Sequence, residues 1–179
     1  MAFARLAFKV LLILLVLLIG IGLVLPSHTT VERSIVIHAP PAQVFPHVNG
    51  MRAFHAWSPW TDIDPETTYT FEGPDTGVGS RMAWQSGNQQ VGAGSQEITV
   101  SQADRQVTTA LEFGGKGSGT ASFFLEPAAQ GTLLRWEFQT EFGWDLFSRY
   151  VGLMLDSMIG ASYDKGLRTL KLRIEQPAT

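Results

Sequence analysis

The sequence predicts an α+β fold in which a seven-stranded antiparallel sheet wraps around one long C-terminal helix. Two short helices follow the first strand, and a transmembrane helix precedes the sheet. Three observations predict this fold: the N-terminal residues form an unbroken apolar run, the middle of the chain alternates apolar and polar residues between turn-forming residues, and the last part repeats apolar side chains at helical spacing.

The N-terminal run extends without a polar residue from Val10 to Leu25, and Arg5 and Lys9 precede it. About 20 mostly apolar residues cross a bilayer, and this length is reached if Lys9 extends its amine to the interface. Residues 1–26 are therefore expected to be a transmembrane anchor. Because cations favour the cytoplasmic side, the N-terminus is expected to be cytoplasmic and the domain extracytoplasmic, which means periplasmic in a Gram-negative cell.

A cleaved signal peptide is the alternative interpretation of the same segment. Gly20 and Gly22 supply small residues that a cleavage site needs. However, the apolar run continues past both glycines, and the stretch Leu25–Ser27 does not resemble an A-x-A site. We therefore expect the anchor to be retained.

Composition excludes several partners. Removing Arg5 and Lys9 from the 13 cations leaves 11 against 16 anions, so the domain has no basic excess with which to hold nucleic acid. The chain has no cysteine, and its 4 histidines are not spaced as metal ligands. We expect no metal and no cofactor.

After the anchor, residues 27–30 are expected to form a short polar linker. Residues 31–38 alternate apolar and polar side chains, which predicts the first strand. Pro41 suits the first turn of a helix, so a short helix is expected over residues 42–48 and a second over residues 51–56.

Six further strands are predicted between residues 67 and 142, with turn-forming residues between them. The last has the clearest alternation: Leu134, Trp136 and Phe138 point one way, and Arg135, Glu137 and Gln139 point the other. This pattern is typical of an antiparallel strand with one buried face.

A single long helix is predicted over residues 145–175, with Asp145 as its N-cap. Its expected apolar stripe includes Leu146, Tyr150, Leu153, Met154, Met158, Leu167, Leu170 and Ile174. Gly160 and Gly166 weaken a helix interior, which predicts a kink or break near them. The sheet and this helix together define a domain over residues 31–176, followed by a tail at 177–179.

The tetrapeptide Trp57–Trp60 places two indoles around a proline, which predicts a rigid, bulky corner. Indoles of this kind serve equally well as core filling and as the wall of a ligand cavity. The phases of the strands and the helix add six candidate ligand-binding residues, and the two indoles of this corner lie at one end of them: Trp84, Phe123, Trp136, Phe138, Met154 and Met158, with Trp57 and Trp60.

Catalytic motifs are scarce. The glycine-rich stretch 114–120 lies between two predicted strands, so a hairpin turn is expected there rather than a phosphate loop at a helix N-terminus. His55, two residues before Trp57, is a weak candidate for a general base because no orienting partner is evident in the sequence. A partly exposed histidine at a helix end is the simpler interpretation.

Several segments resemble one known superfamily in their order and spacing. They are Val31–Ile37 followed by Ala39–Pro41, Trp57–Trp60, Gly131–Thr132 before Trp136, and Gly166–Leu167 with Leu170–Lys171. Residues 31–175 resemble the polyketide cyclase and START-related superfamily, which includes the birch-pollen-allergen-like proteins. The resemblance implies a helix-grip fold whose sheet and helix often hold a hydrophobic ligand between them.

Three functions stay open at this point. We expect a membrane-tethered module that binds a lipid or another hydrophobic small molecule between the sheet and the long helix. The alternatives are a protein-interaction or stress-response domain without a ligand, and a cyclase-like or dehydratase-like enzyme acting in the same cavity. Fold resemblance alone is an associational argument for any of them.

Overall fold

The computed structural model describes residues 2–115 and 117–176, and the tail expected at 177–179 lies outside them. Its helices are α1 (Ala2–Val24), α2 (Pro41–Val44), α3 (Met51–His55), α4 (Leu146–Gly152) and α5 (Leu155–Glu175), with a 3-10 turn at Phe45–His47. Its strands are β1 (His28–Ile37), β2 (Thr68–Glu72), β3 (Arg81–Gln85), β4 (Ala93–Gln102), β5 (Gln106–Glu112), β6 (Ser118–Ala128) and β7 (Gly131–Glu141).

The seven strands form one antiparallel sheet in the order β1-β7-β6-β5-β4-β3-β2. Strands β2 to β7 follow one another as neighbours, whereas β1 pairs with β7, so β1 and β2 are the two edges. The α5 helix packs on the apolar face, where Tyr163, Leu167 and Leu170 join the core. The predicted α+β fold with a sheet gripping a C-terminal helix is confirmed.

The alternation predicted for β7 is also confirmed. Leu134, Trp136 and Phe138 are buried in the core. On the opposite face Arg135 donates a hydrogen bond to Glu137 at 2.7 Å. One side of the strand therefore faces the helix, and the other carries a solvated ion pair.

The first strand begins earlier than the sequence suggested. Residues 28–30, expected to be linker, pair with residues 139–141 of β7. Two of the three are threonines, which suit strands because of their β-branched side chains. Backbone pairing with β7 does not need an apolar side chain, so the polar character of this segment concealed its strand structure.

The C-terminal helix is interrupted, but not where its glycines predicted. Asp145 caps α4 as expected, accepting a hydrogen bond from the Ser148 backbone N–H at 3.1 Å. The break follows Gly152, and α5 then runs through Gly160 and Gly166 without interruption. A break at these two glycines, one of the two outcomes predicted there, is therefore wrong.

Both glycines instead allow close packing against the helix. A Cβ atom on Gly160 would collide with the Arg33 guanidinium. A Cβ atom on Gly166 would lie 3.1 Å from both Pro59 Cδ and Trp136 Cζ3. Glycine is found at such positions because neighbouring groups approach the backbone closely.

Arg149 is buried although it is charged. Its guanidinium donates to the Gly143 carbonyl at 2.6 Å and to the carbonyls of Gly22, Leu23 and Leu25, each at 3.2 Å. The last three acceptors lie at or just after the end of α1, so Arg149 satisfies carbonyls that a helix C-terminus leaves without intrahelical partners.

Candidate functional site

Six aromatic rings fill the centre of the space between the sheet and α5. They belong to Phe54, Trp57, Trp60, Phe123, Trp136 and Tyr163. Trp136 is at the middle of this aromatic cluster, and its ring centroid lies between 3.8 and 5.8 Å from those of the other five. Trp57 also donates a hydrogen bond from its indole Nε1–H to the His47 carbonyl at 2.9 Å.

Four of the ligand-binding candidates from the sequence belong to this aromatic cluster. Trp57, Phe123 and Trp136 are almost fully buried, and Trp60 packs against Trp136 and Tyr163 while remaining partly exposed. This half of the interior is therefore a core filled by side chains. Tyr163, which stacks on Trp136, was missed by the sequence analysis.

The interior is less tightly closed at the end of the sheet nearest α1. The register of the strands brings the end of β3, the end of β5, the start of β6 and the end of β7 to this end, beside His28. We call it the α1 end. Its apolar side chains are only partly buried: Trp84, Leu111, Phe113, Leu155 and Ile159.

Two aromatic candidates at the α1 end lie flat on the sheet. A Cβ atom on Gly94 would be 2.5 Å from Trp84 Cζ2, and one on Gly119 would be 2.5 Å from Phe138 Cε2. Each glycine thus provides the space that a ring occupies on the sheet surface. These two rings form what we call the apolar floor of the α1 end.

Met154 and Met158 do not belong to the interior, and their predicted placement is wrong. Their side chains are 60% and 59% exposed. In α5, Leu155 and Ile159 take the inward positions instead, and they pack against the core. The inward series Leu155, Ile159, Tyr163, Leu167, Leu170 and Ile174 was present in the sequence at helical spacing.

One buried polar atom in the core lacks a partner. The Trp136 side chain is 1% exposed, and its Nε1–H meets no acceptor among the described residues. A buried donor of this kind costs roughly 1–3 kcal/mol relative to a paired one, and native structures rarely leave it without an acceptor, water or ligand. The interior can therefore accommodate one additional hydrogen-bond acceptor beside Trp136.

His55 lies at the edge of the core. Its ring centroid is 4.3 Å from that of Tyr69 and 5.5 Å from that of Phe71. Burial lowers the pKa of His55, which favours the neutral imidazole. The Nδ1 atom has no hydrogen-bond partner among the residues described, so nothing there orients the ring for proton transfer.

His55 also borders a cleft that has a volume of about 180 Å³ and lies between residues 55–62 and α5. Its lining mixes apolar and polar groups, and Lys165 and Asp62 form an ion pair at 3.0 Å on its wall. It is smaller than the roughly 300–1,000 Å³ typical of small-molecule pockets.

The remaining sequence candidates give no metal or phosphate site. Within residues 2–115 and 117–176, no group of three or more His, Asp or Glu side chains is arranged to hold a metal ion. The glycine-rich stretch forms the turn between β5 and β6, as predicted, with Gly114 and Gly115 at positive φ, and its Lys116 lies outside the described residues.

Comparison with known proteins gives a family model and several similar structures. The model described as "Polyketide cyclase / dehydrase and lipid transport" matches residues 28–175. A search of the curated proteins finds no match.

The similar structures share the fold at low identity. Protein MLL2253 from Mesorhizobium loti is 17% identical with a TM-score of 0.57, covering 84% of this chain and 99% of that one. The Aha1 dimer from Colwellia psychrerythraea is 17% identical with a TM-score of 0.56, covering 84% and 99%. The di-domain ARO/CYC StfQ from the steffimycin biosynthetic pathway is 11% identical with a TM-score of 0.61, covering 83% of this chain and 51% of that one.

Proposed function

Because the chain belongs to the polyketide cyclase/dehydrase and lipid transport family, we propose that it is a membrane-tethered module that binds a hydrophobic small molecule. The ligand lies between the sheet and α5 at the α1 end, and it carries a hydrogen-bond acceptor such as a carbonyl oxygen. Trp84 and Phe138 contact its apolar part, and the Trp136 indole N–H donates to its acceptor. The two methionines proposed from the sequence are left out because both are exposed.

The unpaired indole N–H of Trp136 is the observation that carries the binding proposal. It is buried among apolar rings, where an acceptor on a ligand would recover the hydrogen bond that the folded chain lacks. The partly exposed floor at the α1 end, which includes Phe138 two residues along β7 from Trp136, supplies apolar contact area. A few placed polar groups in an apolar lining are typical of small-molecule sites.

Binding accounts for these features better than catalysis. An acid–base mechanism needs a titratable side chain held by a partner within reach of the substrate. His55 has no such partner among the described residues, and its ring packs against Tyr69 and Phe71. The aromatic cluster, by contrast, is well suited to holding an apolar molecule without reacting with it.

The tether in this proposal is α1. Among the described residues, it is the one helix long and apolar enough to cross a membrane. A signal sequence passes the same test, but cleavage after Gly22 would remove the carbonyls of Leu18 and Gly22, which accept hydrogen bonds from Tyr150 and Arg149. These two contacts favour an uncleaved anchor, and the positive flank of Arg5 and Lys9 favours an extracytoplasmic domain.

Native mass spectrometry of the full chain released from lipid nanodiscs tests the binding proposal. We expect an apolar molecule to remain bound, and a fluorescent apolar probe bearing a carbonyl to compete with it. Trp136→Phe keeps an aromatic ring but removes the donor, so probe affinity should fall about fivefold, the loss of roughly 1 kcal/mol. Trp144→Phe, at an exposed position, is the matched control and should bind like the wild type.

Two outcomes contradict the binding proposal. One is a ligand-free wild-type spectrum together with no saturable probe binding. The other is equal probe affinity for Trp136→Phe and the wild type, which would assign the indole N–H to a buried water instead. The anchor is tested separately, because the intact mass of the membrane-extracted chain reveals whether residues 1–26 are still attached.

A further inference from the structure

A group of large apolar side chains remains uncovered between β7 and the middle of α5. Trp144 and Phe147 are 85% and 77% exposed, and Leu153, Met154 and Met158 are each about three-fifths exposed. We call these five residues the α4 patch. Contiguous exposed apolar groups of this size mark a surface that another apolar partner covers.

The α4 helix, which carries part of the α4 patch, is held against the end of α1 by specific contacts. Besides the Arg149 hydrogen bonds described above, the Tyr150 hydroxyl donates to the Leu18 carbonyl at 2.5 Å. A Cβ atom on Gly22 would lie 3.2 Å from Tyr150 Cε2 and 3.3 Å from Leu146 Cβ, so the two helices touch there. The position of α4 relative to α1 is thus set by the structure rather than by a flexible linker.

These contacts place α4 at a definite depth. Leu18 and Leu25, which both accept hydrogen bonds from α4, are seven residues apart. At 1.5 Å per residue they span about 10 Å along a helix axis. If α1 crosses a bilayer with its last turn at the surface, α4 lies beside the outermost 10 Å or so of the membrane, where headgroups meet acyl chains.

We propose that the α4 patch docks on the bilayer that α1 spans, with Trp144, Phe147 and Met154 inserted at the boundary between headgroups and acyl chains. The proposal rests on the proposed function, specifically on the membrane tether. Indoles and other amphipathic rings favour this interface. The domain then sits on the membrane with its α1 end, where the apolar floor is partly exposed, facing the lipid.

The charge of the domain indicates an uncharged or zwitterionic lipid surface as the partner. Once Arg5 and Lys9 are set aside, 11 cations face 16 anions, so no basic excess draws the domain to anionic lipid. Asp156, one helical turn from the patch, is neutralised by Arg33 at 2.8 Å. Docking therefore depends on apolar insertion and should be insensitive to salt.

The absence of cysteine allows a direct test, because a single introduced cysteine can carry a nitroxide label. The full chain is reconstituted at one copy per phosphatidylcholine nanodisc as Phe147→Cys or Met154→Cys. Two controls accompany them: Leu14→Cys, in the middle of α1, and Ala129→Cys, in the exposed turn between β6 and β7. Collision of each label with oxygen, which concentrates in lipid, and with a water-soluble nickel complex is measured by electron paramagnetic resonance.

We expect oxygen to relax the labels at Phe147, Met154 and Leu14 more than nickel does, and nickel to dominate at Ala129. If nickel dominates at the two patch positions while Leu14 stays in lipid, the anchor stands and the docking proposal is overturned. If nickel also dominates at Leu14, the tether itself fails. A third outcome is that the patch labels are shielded from both reagents and show spin–spin broadening in nanodiscs that hold two chains. The patch would then be a contact between two copies of the chain, and lipid docking would be overturned.

A further variant tests whether the contact between α1 and α4 is what holds the patch at the membrane. Arg149→Met removes three of the four side-chain hydrogen bonds described between α4 and the end of α1, keeps the Tyr150–Leu18 bond, and leaves the apolar segment intact. In this background the patch labels should become more accessible to nickel, while the Leu14 label should not change. Unchanged patch labels would contradict the role of the α1–α4 contact in docking.

Discussion

The indole of Trp136 and the ring of Tyr163 stack face to face, with centroids 3.8 Å apart and planes 13° apart. This contact joins β7, near the centre of the core, to the middle of α5. Both side chains are buried, and burial raises the pKa of Tyr163 far above its ordinary value of 10.0. The stack is therefore one of the points at which the sheet contacts the helix.

Truncating Tyr163 should destabilise the domain strongly. Tyr163→Ala removes a buried ring and leaves a cavity beside Trp136, which costs about 3–5 kcal/mol for large aromatic side chains. Urea unfolding in detergent micelles, followed by tryptophan fluorescence, measures the loss. Met158→Ala, on the exposed side of the same helix, is the control and should stay within about 0.5 kcal/mol of the wild type. Similar losses for both variants would contradict the assigned helix face.

The two glycines of α5 should respond differently to alanine. Each substitution gains about 1 kcal/mol of helix propensity. At Gly160 the new methyl group meets the movable end of Arg33, whereas at Gly166 it meets the rigid Pro59 ring and the packed Trp136 ring. Gly160→Ala should therefore be close to neutral and Gly166→Ala more destabilising in the same urea assay. The reverse order would mean that these packing contacts are not retained in solution.

Loss of Arg149 should loosen the junction between α1 and α4. Arg149→Met keeps apolar volume but leaves the carbonyls of Gly22, Leu23 and Leu25 without their side-chain donor. Hydrogen–deuterium exchange in nanodiscs should then accelerate across α4 and not across β6, which lies outside the junction. Arg149→Lys restores one charged donor and should give an intermediate rate. Uniform acceleration over the whole domain would indicate global destabilisation instead.

Acidification should destabilise the domain through its buried histidines. Burial lowers the pKa of His55 and of His47 in the folded state, with Arg173 adding to the effect at His47. In the unfolded chain these histidines have the ordinary pKa of 6.5, so they take up protons there before they do in the folded domain. The free energy of unfolding therefore falls as the pH drops through 6.5. It stops falling once the pH is below the lowered pKa values of the folded state.

Urea midpoints between pH 7.5 and 5.5 check this expectation. His55→Asn should show a smaller fall than the wild type, and His28→Asn, at an exposed position, should show the same fall. Measurements above pH 5 exclude any contribution from protonation of the carboxyl groups of Asp64 and Glu175. The pKa of Asp64 is lowered chiefly by a hydrogen bond from Ser86, and that of Glu175 chiefly by one from the His38 backbone N–H. Their contribution is lost only at lower pH. An unchanged fall in His55→Asn would remove His55 as a source of acid sensitivity.

Much of the fold could be predicted because its signals are local. The alternation in β7, the cap at Asp145 and the apolar composition of α1 each depend on neighbouring residues along the chain. Local periodicity states which face of a strand is buried, and the order of strands and turns then limits the topology. The aromatic candidates Trp57, Phe123 and Trp136 followed from these phases and do lie inside.

The parts that escaped prediction depend on residues far apart in sequence. Arg149 could be assigned to a buried position only by knowing that the carbonyls of Gly22, Leu23 and Leu25 lie beside it. The strand character of residues 28–30 likewise came from β7, since the segment itself is polar.

The sequence by itself therefore determined the fold class, the apolar N-terminal segment and the aromatic content of the interior. Only the tertiary structure decided which face of α5 is buried, because apolar side chains recur at helical spacing both on the face of Met154 and Met158 and on that of Leu155 and Ile159. Packing against the sheet places Tyr163 against Trp136 and leaves Met154 and Met158 outside. Long-range packing selected one of two apolar faces that the sequence of α5 allowed.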